Sequence, residues 1–347
     1  MKLEDLDLPF DNTLMARYPL PKRDEARLMI VNRSTGKITH HRFREITQFF
    51  GEGDVLITNN SKVAPYQLTG QKYKNACSIE TILLHELDPI HNLWDAWLEP
   101  ARKIRISNKL LFGTKLFAEV IDNTSSGNRT LKFTFDGDRR DLHAYFAQIG
   151  KPPFPKLLGR SVEPEDQSRY QTIYATEQGG LVPPYAGFHW SPYLFKKLAI
   201  QGVHFTQITQ HLNLKELEPI VAKEIYKHVL NPLFFEVSKT AAELVNKAKQ
   251  RGNKVISVGT STLKTIESSI SVDQGLRPQS GWTNRFFLPG HKFKLTDALL
   301  TNFQLPNMVS FVDALAFGGK ELIMEAYRIA IREKYRFFVY GDALFIH

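Results

Sequence analysis

A single histidine set among aromatic residues is the first candidate for chemistry in this sequence. His189 stands in the segment 183–190, which reads PPYAGFHW, directly before Ser191-Pro192, a pair typical of a helix start. An imidazole transfers protons near neutral pH, and aromatic rings in a turn can stack on a base or on a cationic ligand. A lone histidine in a turn is more often structural, so the residues alone leave both interpretations open.

A glycine followed by hydroxyl-bearing residues is the second candidate. Gly259 precedes Thr260 and Ser261, and it follows the apolar run Val255–Val258, which is typical of a strand. Hydroxyls and the N–H groups of a helix N-terminus together bind anionic groups or ribose oxygens. The alternative is an ordinary helix cap. The sequence contains neither a Walker loop nor a dinucleotide-binding fingerprint, so no nucleotide is specified.

Further polar residues stand near the ends of predicted strands. Asn60 belongs to the amide-rich turn 59–62, and Trp282, Asp297 and Asn302 lie in two later segments. Buried polar groups at strand ends cost free energy unless they are satisfied, so such residues are either networked or functional. The histidines do not have metal-ligand spacing, and we therefore predict no metal site.

These candidates need a scaffold, and the residues after Tyr170 predict alternating strands and helices. Repeated units of this kind favour a parallel sheet, open or closed into a barrel-like body, with function at the carboxyl ends of the strands. The predicted elements are helices that begin at Ser191 and Ser238, strands at Val203–Ile208 and Val255–Val258, and a last helix over Lys320–Lys334 that leads into the apolar run 335–340.

The residues from about Asp54 to Gly150 have a different pattern. Short apolar and β-branched runs at Val55–Thr58, Ile79–Leu84 and Leu93–Leu98 are separated by turn residues, which predicts a small β domain. The proline-rich stretch 151–155 is a plausible boundary, since consecutive prolines favour extended backbone.

Charge and cysteine content narrow the class of protein. The formal net charge is +9, and segment 101–160 holds twelve Lys and Arg against five Asp and Glu. Such a basic region attracts a polyanion such as RNA, although a solvated basic surface is an equal alternative. The single cysteine, Cys77, excludes an internal disulfide. No run is long enough to span a membrane and the acidic start is unlike a signal peptide, so we expect a cytoplasmic protein.

Beyond these local features, ordered blocks along nearly the whole chain carry a family resemblance. The chain resembles the S-adenosylmethionine:tRNA ribosyltransferase-isomerase family of queuosine biosynthesis. The blocks include 18–28 (YPLPKRDEARL), 59–65 (NNSKVAP), 99–103 (EPARK), 169–175 (RYQTIYA), 186–189 (AGFH), 258–262 (VGTST), 281–283 (GWT), 297–306 (DALLTNFQLP) and 340–343 (YGDA).

The resemblance implies a fold and a reaction. It implies an α/β fold with a barrel-like α/β body, residues 1–60 and 151–347, and an inserted small β-barrel-like domain, residues 61–150. It implies transfer and isomerisation of the ribosyl moiety of S-adenosylmethionine onto 7-aminomethyl-7-deazaguanine in tRNA, which gives epoxyqueuosine. S-adenosylmethionine is then a co-substrate, no cofactor is bound permanently, and the anticodon region of tRNA is the macromolecular partner. We expect a monomer.

The resemblance also implies roles for individual residues. His189 would transfer a proton, and Asp297 or Asp342 would be an orienting carboxylate. The residues expected to contact S-adenosylmethionine are Thr260, Ser261, Trp282, Asn302 and Asn60. The residues expected to contact the anticodon stem are Arg102, Lys103, Arg105, Arg139 and Arg140.

The chain also departs from the family pattern in several motifs. A segment that usually holds two glycines reads HLNLKEL at 211–217, so a close backbone approach to the ligand is in doubt. Titratable residues are replaced by Asn231, Asn284 and Gln304, and two further changes are Tyr185 and Gln67. These changes predict a diverged and slower member. Two alternatives stay open: an S-adenosylmethionine-dependent enzyme acting on another acceptor, and a non-catalytic tRNA-binding paralogue.

Overall fold

The computed structural model describes residues 1–74, 77–124 and 127–347, and of Arg139 it describes only the backbone. Contacts divide this part of the chain into two units. The body unit comprises Met1–Lys62, Pro155–Glu177 and Pro183–His347. The barrel unit comprises Val63–Phe154 together with the short return segment Gln178–Val182.

The described residues form strands and helices in the following order along the chain. The strands are β1 (Arg27–Val31), β2 (Ile38–Arg42), β3 (Val55–Asn59), β4 (Ser61–Val63), β5 (Gln67–Lys72), β6 (Ser78–Asp88), β7 (Leu93–Glu99), β8 (Lys109–Phe112), β9 (Leu116–Asn123), β10 (Arg129–Phe135), β11 (Glu177–Gly180), β12 (His204–Gln210), β13 (Leu233–Val237), β14 (Val255–Val258), β15 (Gln279–Thr283), β16 (Ala298–Asn302) and β17 (Ala343–Ile346). The helices are α1 (Leu142–Ile149), α2 (Asp166–Arg169), α3 (Pro192–Ile200), α4 (Lys239–Gln250), α5 (Thr260–Ser268), α6 (Val309–Gly318) and α7 (Lys320–Arg332).

The barrel unit contains a closed antiparallel barrel in the order β10-β7-β6-β5-β8-β9. Burial alternates along β9, where Leu116, Ala118 and Val120 are buried, as the two-residue period of a strand requires when one face lines a barrel interior. Helix α1 places Phe146 against Trp94, with ring centroids 5.6 Å apart. The barrel predicted for this part of the chain is confirmed.

The body unit is built on a nine-stranded sheet in the order β15-β13-β12-β3-β14-β16-β17-β1-β2. Its central strands β3, β14, β16 and β17 are buried at every position, because helices cover both faces. On β16, Leu299 packs in the cluster that contains residues of α6 and α7, whereas Leu300 packs with Leu194 of α3. The predicted α/β class is therefore confirmed.

The expectation of a parallel sheet is only partly correct. Strands β12, β3, β14 and β16 are mutually parallel. However, β17 enters antiparallel to β16 and parallel to β1, and β13 and β15 are antiparallel additions at one edge. The sheet is thus mixed, and its parallel core is four strands wide.

The two predicted helix starts are confirmed. Ser191 accepts the N–H of Leu194 at 3.4 Å, with Pro192 in the first helical position, and Ser238 Oγ accepts the N–H of Ala241 at 3.1 Å. The helix predicted over Lys320–Lys334 is also present, as α7. Among the described residues, no helix is both long and apolar enough to cross a membrane.

The apolar run 335–340 is not a strand, although the repeated strand and helix pattern suggested one. Phe338 has a left-handed backbone with φ 76°, and only Phe337 makes a β-bridge, to Met15. The run is buried except at Arg336, which is half-buried. An apolar run of this length fits a buried loop as well as it fits a strand, and the next segment, β17, takes the place in the sheet instead.

Candidate active site

Several predicted site residues meet at one edge of the body sheet. Strands β3, β14 and β16 are parallel and end there, and β17 begins there because it runs in the opposite direction. The carboxyl ends of parallel strands are the usual location of ligand sites in α/β folds. The structure brings His189, Thr260, Ser261, Asn302 and Asp342 to this carboxyl edge.

His189 lies in the short 3₁₀ helix Tyr185–His189 and is buried, with 4% of its surface exposed. Its Nε2 lies 2.8 Å from Oδ1 of Asn302, the last residue of β16. The imidazole also packs against Phe43, with ring centroids 4.9 Å apart. The histidine is therefore held in one orientation by a hydrogen bond and an aromatic contact.

The contacts of Asn302 determine which nitrogen of His189 carries the proton. Asn302 Nδ2 donates to the carbonyl oxygens of Phe338 at 3.2 Å and Val339 at 3.3 Å. Its Oδ1 must then accept from His189, so Nε2 is protonated and Nδ1 holds a lone pair. Burial lowers the pKa of His189 from 6.5 to about 4, although the bond to Asn302 opposes this shift. The imidazole is therefore neutral at pH 7, with a lone pair on Nδ1.

Asp342 precedes β17 at the same edge and is almost completely buried. Its carboxylate accepts the backbone N–H of Arg27 at 2.9 Å and of Arg336 at 2.8 Å. Burial raises the pKa of Asp342, and the two backbone hydrogen bonds oppose that shift. Both oxygens are occupied by the backbone, so Asp342 fixes the loop 335–340 against β1.

Asp297 is not brought together with these residues. It precedes Ala298 at the other end of β16, where its carboxylate accepts Lys249 Nζ at 2.8 and 3.0 Å and the N–H of Val255 at 2.8 Å. These contacts link α4, β14 and β16 at the amino edge of the sheet. Asp297 is placed to hold the scaffold rather than to face His189.

A buried amide network connects β3, β12 and α5 at the carboxyl edge. Asn59 Nδ2 donates to the carbonyl of Gln210 at 2.9 Å and to Ser261 Oγ at 3.2 Å. Asn59 Oδ1 accepts the N–H groups of Gln210 and Ser61, each at 3.0 Å. Ser61 Oγ lies 2.9 Å from His211 Nδ1. Sequence reasoning named Asn60 and missed Asn59 and Gln210.

The start of α5 has the backbone that its sequence predicts. Gly259 has φ 89°, a left-handed conformation that suits glycine and turns the chain from β14 into the helix. The first backbone bond of α5 runs from Leu263 to the carbonyl of Gly259 at 3.2 Å. The N–H groups of Thr260 and Ser261 precede that bond and have no acceptor within the helix.

Asn60 directly follows β3, and its side chain makes different contacts from that of Asn59, the last residue of the strand. Asn60 Oδ1 accepts Thr209 Oγ1 at 2.7 Å, and Asn60 lines an open groove of about 970 Å³. The other polar residues of this groove include Thr58, Gln207 and Glu236. The structure therefore separates Asn60 from the network around Ser261.

Trp282 lies on edge strand β15 with 57% of its surface exposed. Its ring centroid lies 5.8 Å from that of Phe234 in an edge-to-face arrangement. Phe234 in turn stacks on His211 with centroids 5.9 Å apart. A row of three rings thus leads from the buried network to the exposed edge strand.

The altered segment 211–217 adopts a backbone that does not need glycine. It ends in the 3₁₀ turn Leu214–Leu217, capped by Asn213, whose side chain accepts the N–H of Lys215 at 2.9 Å. Every residue of the segment has negative φ. Of the three replaced titratable positions, Gln304 is buried, Asn231 is half-buried and Asn284 is exposed.

A buried ion pair anchors the end of this altered segment. Lys264 of α5 places Nζ 3.0 Å from Asp313 of α6 and 3.8 Å from Glu216. Burial raises the pKa of Asp313 to about 6, and the neighbouring ammonium opposes that shift. Burial alone would lower the pKa of Lys264, but the two carboxylates raise it. The sequence does not predict the contact of Lys264 with Asp313, because helix periodicity does not identify which lysine is buried.

The predicted nucleic-acid-binding residues all belong to the barrel unit. Arg102, Lys103 and Arg105 are exposed, whereas Arg140 is held by Asp138 with N–O distances of 2.5 to 3.1 Å. The side chain of Arg139 lies outside the described residues. Within the described part of the chain, Arg102, Lys103 and Arg105 thus form no ion pair.

Within residues 1–74, 77–124 and 127–347, no group of three or more His, Cys, Asp or Glu side chains is arranged to hold a metal ion.

Comparison with known proteins gives consistent results at the level of sequence and of fold. Residues 3–346 match the family described as "Queuosine biosynthesis protein". The chain is 45% identical to the S-adenosylmethionine:tRNA ribosyltransferase-isomerase of Amoebophilus asiaticus and 44% identical to that of Flavobacterium psychrophilum, with 100% of each chain covered in both cases. It is also similar to the crystal structure of an S-adenosylmethionine tRNA ribosyltransferase from Thermotoga maritima. That similarity has a TM-score of 0.55 and 29% identity, and it covers 99% of this chain and 100% of the other.

Proposed function

This chain belongs to the queuosine biosynthesis protein family, and we propose that it acts as an S-adenosylmethionine:tRNA ribosyltransferase-isomerase. The single observation that carries the proposal is the full-length identity of 44–45% to relatives of that name. The reaction moves the ribosyl group of S-adenosylmethionine onto 7-aminomethyl-7-deazaguanine in tRNA and isomerises it. The products are epoxyqueuosine in tRNA, adenine and methionine.

The chemistry makes three demands on protein side chains. The sulfonium acidifies ribose C5′, so a base has to remove that proton. The aminomethyl nitrogen of the tRNA base has to attack as a neutral amine. The departing adenine needs a proton donor.

His189 is the proposed proton carrier. Its neutral imidazole has a lone pair on Nδ1, because Asn302 holds the proton on Nε2. A neutral ring accepts the first proton and can return it to the leaving group as the conjugate acid. Thr260 and Ser261 contact S-adenosylmethionine at the start of α5, and Asn302 orients the imidazole. Asp342 supports this edge through the backbone.

The proposal assigns the remaining predicted residues roles outside the proton transfer. Asp297 is left out of the proposed catalytic group because it lies at the amino edge of the sheet. Trp282 presents a ring for stacking at the end of the aromatic row, and Asn60 faces the separate groove. Arg102, Lys103 and Arg105 contact the phosphates of the anticodon stem, since they are exposed and cationic. The protein works in the cytoplasm as a monomer.

The two alternatives are not favoured. A different acceptor, or loss of turnover in a tRNA-binding paralogue, would have to coexist with the identity to named enzymes over every part of the chain. The replaced residues Asn231, Asn284 and Gln304 lower the number of titratable groups, which predicts a slower enzyme rather than a different reaction.

The direct test is turnover of the purified protein with S-adenosylmethionine and tRNA that carries the deazaguanine precursor. We expect adenine release together with a mass increase of the tRNA nucleoside that corresponds to epoxyqueuosine. The matched control is the same tRNA with guanine at the wobble position, which should release no adenine. Absence of adenine and of the modified nucleoside with the precursor tRNA would overturn the proposal.

A further inference from the structure

The fully buried side chain of Gln210 has no hydrogen-bond partner for either amide atom. Gln210 is 0% exposed, and neither its Nε2 nor its Oε1 finds a partner among the described residues. A buried amide without partners costs free energy, and natural proteins rarely retain one. Such groups are concentrated where a ligand supplies the missing bonds. The fold itself therefore does not explain why an amide stands at this position, and a ligand would.

The register of the sheet shows where this side chain points. On β12, Ile208 packs in the cluster that contains Ile266 of α5, and Phe235 on the adjacent strand β13 packs there too. Gln210 lies two residues beyond Ile208 and opposite Phe235, so it faces the same side of the sheet. Helix α5 begins at the carboxyl edge and covers this side, and Gln210 ends β12 at that edge. The amide is therefore aimed at the first turns of α5.

Three further features mark the underside of these turns as polar. Asn59 joins the backbone of Gln210 to Ser261 Oγ. Thr265, one turn after Ser261, has a buried hydroxyl without a partner among the described residues. The leading N–H groups of α5, at Thr260 and Ser261, add partial positive charge. This small region thus offers a helix N-terminus, an unused donor and an unused acceptor.

We infer that Gln210 and the first turn of α5 bind the α-carboxylate and α-ammonium groups of the methionyl part of S-adenosylmethionine, an inference that rests on the proposed function. The carboxylate accepts from the helix N–H groups and from Gln210 Nε2. The ammonium donates to Gln210 Oε1. One amide then satisfies both groups of the zwitterion. Because Gln210 is enclosed, ligand binding requires the surrounding side chains to move.

The test compares two ligands and needs no turnover. Isothermal titration calorimetry without tRNA gives the Kd of S-adenosylmethionine and of its decarboxylated analogue, which keeps the adenosine, the sulfonium and the terminal amine. A hydrogen bond to a charged group is worth roughly ten- to a hundredfold in affinity. The protein should therefore bind the decarboxylated analogue at least about tenfold more weakly. Gln210→Leu should weaken S-adenosylmethionine, which loses bonds from both its carboxylate and its ammonium, about tenfold more than it weakens the analogue, which loses only the bond from its ammonium. The matched control is Gln201→Leu, the same substitution at an exposed position at the end of α3.

Each other outcome has a defined meaning. Equal weakening of both ligands by Gln210→Leu would overturn the inference by assigning the amide to another part of the ligand, and no weakening of either would overturn it as well. If Gln210→Leu does not fold, Gln210→Met keeps the length of the side chain and tests the same two amide atoms. Failure of the unaltered protein to bind S-adenosylmethionine at all would count against the proposed function itself, and with it the inference.

Discussion

The buried, neutral His189 predicts a specific loss of stability in acid. In the folded protein its pKa is about 4, and in the unfolded chain it returns to 6.5. Between these values the unfolded state binds a proton that the folded state does not, so the free energy of unfolding falls as the pH falls. One pKa unit corresponds to about 1.4 kcal/mol, and the whole shift therefore to about 3 kcal/mol.

The perturbation that isolates this effect is His189→Gln, which keeps an amide that can bond to Asn302. Partial burial also lowers the pKa of His211, His228, His291 and His347. The informative quantity is therefore the difference between the unaltered protein and the variant. Between about pH 7.5 and about pH 4.5, the unaltered protein should lose about 2–3 kcal/mol more than the variant.

Urea denaturation at the two pH values measures this difference. The control is His204→Gln, at an exposed position on β12, which should follow the unaltered protein. If His189→Gln loses as much stability in acid as the unaltered protein does, then burial does not lower the pKa of His189 in the folded protein.

Three further outcomes follow from the interactions described above. Lys264→Met should lower the free energy of unfolding by about 3–5 kcal/mol, because it leaves Asp313 as an uncompensated buried carboxylate; the double variant Lys264→Met with Asp313→Leu should regain most of that stability in urea denaturation. Gln210→Leu should raise the melting temperature, since about 1–3 kcal/mol is recovered for each unpaired amide atom that is removed; a lower melting temperature would mean that the amide has partners. Replacing Arg102 and Lys103 by Glu should weaken binding of all tRNAs and reduce the slope of log affinity against log salt by about one for each phosphate that the protein no longer neutralises; an unchanged slope in a salt titration would exclude these residues from the tRNA site.

The sequence predicted the start of a helix well where the interaction that fixes it joins residues only a few positions apart. Ser191 and Ser238 were identifiable as helix caps because a serine hydroxyl satisfies a backbone N–H within three residues. The sequence blocks also located His189 and Asn302, although 113 residues separate them along the chain. Their mutual hydrogen bond, and hence the tautomer, requires the strand pairing that only the structure supplies.

The features that sequence reasoning missed depend on long-range packing. Asn59 and Asn60 are adjacent and of the same type, yet Asn59 ends β3 and joins the buried network, whereas Asn60 follows the strand and contacts Thr209. Only the position of the strand end decides which of the two joins the network. Asp297 and Asn302 lie five residues apart, at opposite ends of one strand, so the carboxylate that looked catalytic is at the amino edge. In the sequence, Lys264 looks like an ordinary exposed lysine of a helix. Only the packing of α6 against α5 shows that it is buried and paired with Asp313.

The position of β17 also bears on how the chain is made. This strand lies between β16 and β1 in the interior of the sheet, and the hydrogen bond between Arg27 and Asp342 joins residues 315 positions apart. At a synthesis rate of about 5–20 residues per second, β1 leaves the ribosome roughly 15–60 seconds before its partner does. During that interval β1 has an unpaired edge, and β16 has one for the last few seconds after its own synthesis; such an edge is the kind of surface that joins strands of other chains. The nascent protein therefore depends on protection of these edges until β17 has been synthesised, and chains released before that point should aggregate rather than fold.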